Sequence, residues 1–222
     1  MGYMPVTRYA LRVTRHVFMK KVKKELLLAT KNKHKLEELS YILAPLDWDV
    51  RTYDDEEYPE VPETGNTFDE NSWIKARALV DYTGKLCVAD DSGLEIDALD
   101  GMPGVMSARF GGPGATYGEK NLKVLSLMKD VPEEKRTARF ICVASLVWPD
   151  RRTEFFRGVC EGRIAFSPSG NNGFGYDPIF YIPSMKSTMA ELSPDVKNRI
   201  SHRAQAFTKL ADFLSKKYNI KP

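Results

Sequence analysis

The chain reads as an α/β protein built on a mixed β-sheet flanked by helices. Through its first half, apolar runs of strand length alternate with amphipathic stretches of helical period. Two later runs, Arg136 to Trp148 and Thr153 to Ile164, are long and rich in β-branched, aromatic and small apolar residues, and Pro149-Asp150 makes a turn between them. That pair is antiparallel, so the sheet is mixed rather than the all-parallel sheet of a dinucleotide-binding domain. At 222 residues and 42% hydrophobic content, a single unit with a substantial core is expected, with no internal repeat and no low-complexity segment.

The elements follow in order. Leu26 to Ala29 form the first strand, and Leu36, Leu39, Ile42 and Leu43 recur at helical spacing until Pro45 ends the helix. Trp48 to Thr52 form a second strand, and Asp54 to Glu63 an acidic loop. Thr67 and Glu70 make a capping-box pair that opens a helix running to about Thr83, where Gly84 stops it. On that helix Thr67, Asn71 and Lys75 fall on one face, with Phe68, Ile74 and Leu79 inward. Lys85 to Ala89 give a short buried strand, an acidic turn at Asp90-Asp91-Ser92-Gly93 follows, and Leu94 to Leu99 continue the sheet. After the glycine-rich loop Gly111 to Gly114 comes a helix from Tyr117 to about Met128. Past the long hairpin, a small-residue loop from Gly170 to Asp177 precedes a final helix with Phe207, Leu210, Ala211 and Leu214 inward, which places Ser201, His202 and Arg203 at its N-terminal end.

Charge divides unevenly along the chain. The first 24 residues carry seven Lys and Arg and no acid; the whole is +3, so the remainder is 3 minus 7, or −4. A basic segment of this kind is a targeting peptide, a nucleic-acid arm, or upstream sequence ahead of a start at Met19; the last is the reading favoured here, with residues 1–24 an extension and 25–222 the folded domain. Cys87, Cys142 and Cys160 lack metal-ligand spacing and sit in apolar surroundings, which points to buried free thiols and a reducing, cytoplasmic compartment. No apolar run approaches the roughly 20 residues that span a bilayer, and three scattered histidines do not make a zinc site.

Three segments carry chemistry. Adjacent carboxylates at Asp90 and Asp91, placed by this reading at a strand's carboxyl end, repel one another unless a divalent cation, a substrate proton or a basic partner takes up the charge. A solvated Asp-Asp-Ser-Gly turn is the plainer alternative. Strand, loop and helix at Ala29 to Leu36 offer an anion free backbone N–H groups and a positive helix end, with the hydroxyl of Thr30, the amide of Asn32 and the ammonium of Lys35 beside them. The alternative is a helix capped by Thr30 or Asn32 with surface lysines around it. Farther on, Phe174 and Tyr176 offer aromatic faces for a purine, against the possibility that Phe174 is tucked into the core.

Taken together, Thr30-x-Asn32-x-x-Lys35, Glu63-Thr64-Gly65-x-Thr67-Phe68, Glu70-Asn71-x-x-x-Lys75-Ala76, Ala89-Asp90-Asp91-Ser92-Gly93-Leu94, Pro103-Gly104-Val105-x-Ser107-Ala108-Arg109, Gly173-Phe174-Gly175-Tyr176-Asp177-Pro178, Lys197, and Ser201-His202-Arg203-Ala204 resemble, in order, the motifs of the non-canonical purine nucleoside triphosphate pyrophosphatases, the inosine triphosphatase or Ham1-like proteins. The resemblance spans Leu26 to the last helix. It implies an elongated fold of two lobes with a nucleotide-binding cleft, homodimer formation, and Mg2+-dependent hydrolysis of inosine, deoxyinosine and xanthosine triphosphates to monophosphate and pyrophosphate. Carried onto this chain, it makes Asp91 the base and a metal ligand, with Glu63 the second ligand and Glu60 its rival. Thr30, Asn32, Lys35, Lys75 and Ser92 would hold the phosphates, and Phe174, Gly175, Tyr176, Asp177, Lys197, His202 and Arg203 the base. The exposed apolar residues of Pro103 to Phe110 would suit a dimer interface. A related house-cleaning hydrolase of other modified nucleotides is the nearest alternative; a nucleic-acid-binding protein fits poorly, because the body is net negative.

Overall fold

The computed structural model describes residues 23–52 and 60–219. The basic extension up to residue 22 and the acidic stretch 53–59 lie outside the described residues. One seven-stranded sheet organises them, in the order β2-β1-β3-β4-β5-β6-β7. β1 (Glu25–Leu28) runs parallel to β2 (Asp49–Thr52) on one side and β3 (Cys87–Ile96) on the other. β4 (Thr137–Val147) is antiparallel to β3 along all ten residues of β3, and β5 (Thr153–Ile164) antiparallel to β4 along eleven. Two short strands, β6 (Phe180–Ile182) and β7 (Ser187–Thr188), complete the antiparallel side.

Side-chain alternation along the strands sends neighbours to opposite faces, and the helices divide accordingly. Leu26, Leu28, Val88, Cys142, Ala144 and Leu146 face α1 (Lys33–Leu43) and α5 (His202–Lys217). Leu27, Cys87, Ala89 and Val147 face α2 (Phe68–Thr83) on the other side. A separate core gathers Leu94, Ile96, Phe140, Phe180 and Ile182 around Val124 and Met128 of α3 (Tyr117–Leu127) and its end. All three cysteines are free and buried, as expected.

The expected helix boundaries hold to within a residue or two, with local reasons. Asn32, not Thr30, caps α1: its side chain accepts from the backbone N–H of His34 and Lys35 at 3.0 and 3.2 Å. Gly84 ends α2 at φ 65°, donating to the Val80 carbonyl. Thr67 accepts from Glu70 N–H, but the Glu70 carboxylate reaches back to Asn66 N–H rather than to Thr67. The seven-residue helix α4 (Pro194–Ile200), β6 and β7 are additions to the sequence reading.

One expectation fails in a way that matters for the site. The acidic turn at Asp90 to Gly93 does not exist: β3 runs unbroken from Cys87 to Ile96, because β4 supplies a partner at every position, Asp90 opposite Ala144 and Asp91 opposite Val143. What ends there is β1, whose last paired residue, Leu28, lies beside Val88. The carboxylates therefore sit where the parallel part of the sheet stops, in mid-strand, and they point to opposite faces.

Candidate active site

A cavity of about 1000 Å³ opens at that point. At one end it is walled by the β1–α1 loop, by Glu60 to Glu63 and by Lys75 of α2. At the other end stand Tyr117, Phe140, the loop Phe174 to Asp177, and Lys197 and His202.

Asp91 points toward α2. Its carboxylate accepts from Asn71 Nδ2 at 3.3 Å and from Lys75 Nζ at 3.2 Å, so the four-residue spacing on α2 delivers both partners to one acceptor. Thr67 stays outside this group as the helix cap. Lys75 also holds Glu63 Oε1 at 2.7 Å, and the other oxygen of Glu63 takes Arg109 at 2.9 Å. One ammonium thus stands between two carboxylates. Burial pushes the Asp91 carboxyl above its ordinary range despite the nearby Lys75. Glu63 goes the other way, since Lys75 and Arg109 outweigh the burial that would raise it. Glu60 lines the cavity but is exposed, so it is Glu63 that shares a cation with Asp91.

Asp90 points to the opposite face and is fully engaged. Lys35 Nζ lies 2.8 Å away, Ser92 Oγ donates at 2.6 Å, and Arg203 Nε is at 3.5 Å. Burial would raise its pKa, yet Lys35 and Arg203 hold it well below the usual carboxylate range. Asp90 is therefore a buried anion that fixes two cations, separated from Asp91 by the sheet.

The network continues through a residue the sequence reading passed over. Glu38, one turn after Lys35 on α1, accepts from Arg203 at 2.6 Å and lies 2.9 Å from Lys197, whose ammonium also donates to Asp177 at 2.6 Å. Arg203, 2% exposed, donates to Glu38 and to Ser92 Oγ at 3.1 Å, two of its five N–H groups. It lines the cavity 5.5 Å from the Phe174 ring and ties α5 to α1 and β3. An ammonium has three N–H donors, and Glu38 and Asp177 account for two on Lys197. His202 stacks on Phe140 at 4.8 Å with 17° between the rings, and its Nδ1 is buried without a hydrogen-bond partner. Burial, aided by Arg203, depresses its pKa well below the ordinary value, so the ring is neutral near pH 7.

The aromatic loop separates its two rings. Phe174 is half-buried on the cavity wall, with the His34 imidazole stacked on it at 5.3 Å and 15°, so one of its faces already receives a flat heteroaromatic ring. Tyr176 is core: it is 3% exposed, and its hydroxyl donates to the Ser107 carbonyl at 2.9 Å. Gly173 permits this loop its shape at φ 72°, where a Cβ would overlap the Asp177 carboxylate that accepts from Phe174 N–H at 2.8 Å. Asn121 of α3 donates to the Gly175 carbonyl at 3.2 Å.

The cavity thus has cations paired with carboxylates at one end and, at the other, the Phe174 ring between His34 and the cations of Lys197 and Arg203, and the chain that forms it has close relatives. Residues 26–213 match the model of the Ham1 family. The chain belongs to that family. A dITP/XTP pyrophosphatase of Shouchella clausii (strain KSM-K16) is 51% identical over 188 residues, 85% of this chain and 95% of that protein. One of Desulforamulus reducens is 47% identical over 197 residues, 87% and 97% of the two chains. Among solved structures, a HAM1 protein from Coxiella burnetii superposes with a TM-score of 0.80 at 43% identity, covering 87% of this chain and 99% of that one.

In this Ham1-family chain, Asn71, Glu38, Arg109 and Tyr117 join the site beyond the residues singled out from sequence. Asn71 and Arg109 lay inside the motifs that were read. The signal for Glu38 was its position one helical turn from Lys35; nothing local marked Tyr117, whose placement depends on how α3 docks. Among the described residues no helix is long and apolar enough to cross a membrane, and no three His, Cys, Asp or Glu residues cluster as a ready-made metal cage.

Proposed function

We propose that this chain hydrolyses deaminated purine nucleoside triphosphates, namely those of inosine, deoxyinosine and xanthosine, between the α and β phosphates, releasing monophosphate and pyrophosphate. The observation that carries this reading is the division of one cavity: Asp91 and Glu63 share Lys75 at one end, and Phe174 stands over Lys197 at the other. Relatives about half identical along nearly their whole length bear the name dITP/XTP pyrophosphatase.

The carboxylates of Asp91 and Glu63 fit a divalent cation such as Mg2+: they are hard oxygen donors brought together on one cation, and Mg2+ is commonly held by one or two carboxylates plus substrate phosphates. When bound, the ion would neutralise phosphate oxygens and make water at the α-phosphorus more acidic. Asp91 would take the proton of the attacking water, a general-base role open to a carboxylate that faces the cavity. Asn71 holds the Asp91 carboxylate in line. Lys75 and Lys35, with the Thr30 hydroxyl, the Asn32 amide and Ser92 at the same end, take the triphosphate charge. The base stacks on Phe174, in the loop shaped by Gly175, Tyr176 and Asp177, and its C6 carbonyl meets the remaining N–H of Lys197 and the neutral ring of His202. Adenine would turn an amino donor toward those donors; a buried mismatch of this kind discriminates by as much as about 10⁴. Arg203 acts by holding Glu38 and Asp90 in place.

The proposal includes a cytoplasmic homodimer. The three buried free thiols suit a reducing compartment, and Met102 and Met106 give exposed apolar surface in and beside the Pro103 to Phe110 segment.

The test is pyrophosphate release with Mg2+ from inosine, deoxyinosine, xanthosine, guanosine and adenosine triphosphates, alongside modified pyrimidine and methylated nucleotides. The first three should exceed adenosine triphosphate by at least about 10² in kcat/KM. Equal hydrolysis of inosine and adenosine triphosphates, or preference for a pyrimidine, would overturn the reading.

A further inference from the structure

The base end of the cavity holds a phenol that the chemistry above does not use. Tyr117 is the first residue of α3, fixed by the Thr116–Glu119 capping box. Its ring is held on three sides. Tyr176 meets it edge-on at 5.7 Å and 86°, the Lys120 ammonium lies 4.4 Å from its centroid, and Gly175 is so close that a Cβ there would touch the ring at 3.6 Å. Its hydroxyl, by contrast, makes no hydrogen bond to any described residue. Tyr117 lines the same cavity as Phe174, Asp177, Lys197 and His202 and adjoins Gly175 of the aromatic loop. Tyr117 keeps 39% of its surface exposed, and a phenol, with an ordinary pKa of about 10, is a protonated donor at neutral pH.

A clamped ring with an unpartnered hydroxyl is pre-organised to meet an acceptor on a ligand, at little further entropic cost. A purine stacked on Phe174 with C6 toward Lys197 and His202 presents N1 and C2 next along the same edge. Xanthine carries a carbonyl at C2, and hypoxanthine carries only hydrogen. We infer that Tyr117 is a specificity-determining residue whose hydroxyl donates to the C2 carbonyl of xanthosine triphosphate, favouring 2-oxo purines in this site. The inference rests on the proposed function and adds to it a reader for the second ring substituent.

The experiment is a cycle of four kcat/KM values: wild type and Tyr117→Phe, each on inosine and xanthosine triphosphates with Mg2+. Tyr117→Phe keeps the ring contacts and removes only the hydroxyl. The ratio of xanthosine to inosine triphosphate should fall roughly two- to twelvefold in the variant, the range of one neutral hydrogen bond. An unchanged ratio, including an equal loss on both substrates from disturbed folding, would overturn the role of Tyr117. A wild type that cleaves neither substrate would instead overturn the proposed function, so the two failures are distinguishable. Saturation binding of xanthosine and inosine monophosphates to both proteins gives a second readout: only the xanthosine product should bind more weakly to the variant.

Discussion

Two carboxylates in this site, the partly buried Glu38 and the buried Asp91, make opposite statements about stability. Glu38 has its pKa lowered because Arg203 and Lys197 outweigh burial. A lowered folded-state pKa means stabilisation that is present above the unfolded carboxylate value of about 4.5 and lost as pH falls through the folded value. Glu38→Gln should therefore cost about 2 kcal/mol at pH 7. This is less than the roughly 3–5 kcal/mol of a wholly orphaned buried charge, because Lys197 keeps Asp177 and Arg203 keeps Ser92. Urea unfolding at pH 7 and pH 4 checks the sign: the gap between variant and wild type must narrow at pH 4. Asp91 has a raised pKa, so its charge opposes folding above the unfolded value of about 3.8. Asp91→Asn, measured with chelator present, should be as stable as wild type or more so, while turnover falls by roughly 10² to 10⁴. A variant that keeps more than a tenth of wild-type turnover would remove Asp91 from the role of base. At this scale the sequence showed which groups bear charge but not how they pair. Arg203 reads as a donor beside His202, and the arrival of Glu38 from α1 adds to that a part in holding the network together.

At the scale of elements, the site depends on how closely α5 sits on the sheet. Gly158 of β5 is the point of contact: a Cβ there would overlap the His202 carbonyl and come within 2.7 Å of Ala206 N. Those atoms are helix backbone and cannot turn aside, so Gly158→Ala should displace the first turn of α5. Overpacking of this kind costs about 1–3 kcal/mol. Because His202 and Arg203 ride on that turn, the variant should lower kcat/KM for inosine triphosphate more than tenfold at a temperature where circular dichroism shows it folded. An active variant with wild-type selectivity would mean that the helix absorbs the methyl. The sequence made α2, α3 and the β4–β5 hairpin legible because each is long and periodic. The course of β3 through Asp90 and Asp91 was not, since two acids, a serine and a glycine match turn chemistry locally and become strand only when β4 pairs with them. α4, β6 and β7 are too short for any period to register.

For the whole molecule, the open matter is what the basic first residues contribute. β1 begins at Glu25, the Ham1 match at residue 26, and the cavity lining at Ala29. Every contact described for the site therefore comes from residues after that point, and the part of the chain that makes it carries net negative charge once the first 24 residues are set aside. A chain beginning at Met19 should keep kcat/KM for inosine triphosphate within about twofold and its melting temperature within about 2 °C, the scale of a ΔΔG of about 0.5–1 kcal/mol in a domain of this size. The same pair of proteins should be compared for retention on single-stranded DNA at physiological salt, since the truncation removes Arg8, Arg12 and Arg15 from the seven cations of the first 24 residues, and such cations bind polyanions weakly and in a salt-dependent way. Retention that disappears on truncation, with turnover intact, would mark the segment as a nucleic-acid arm separate from the enzyme. A loss of turnover or of several degrees in melting temperature would instead make it part of the folded unit, and the domain boundary at residue 25 would have to move.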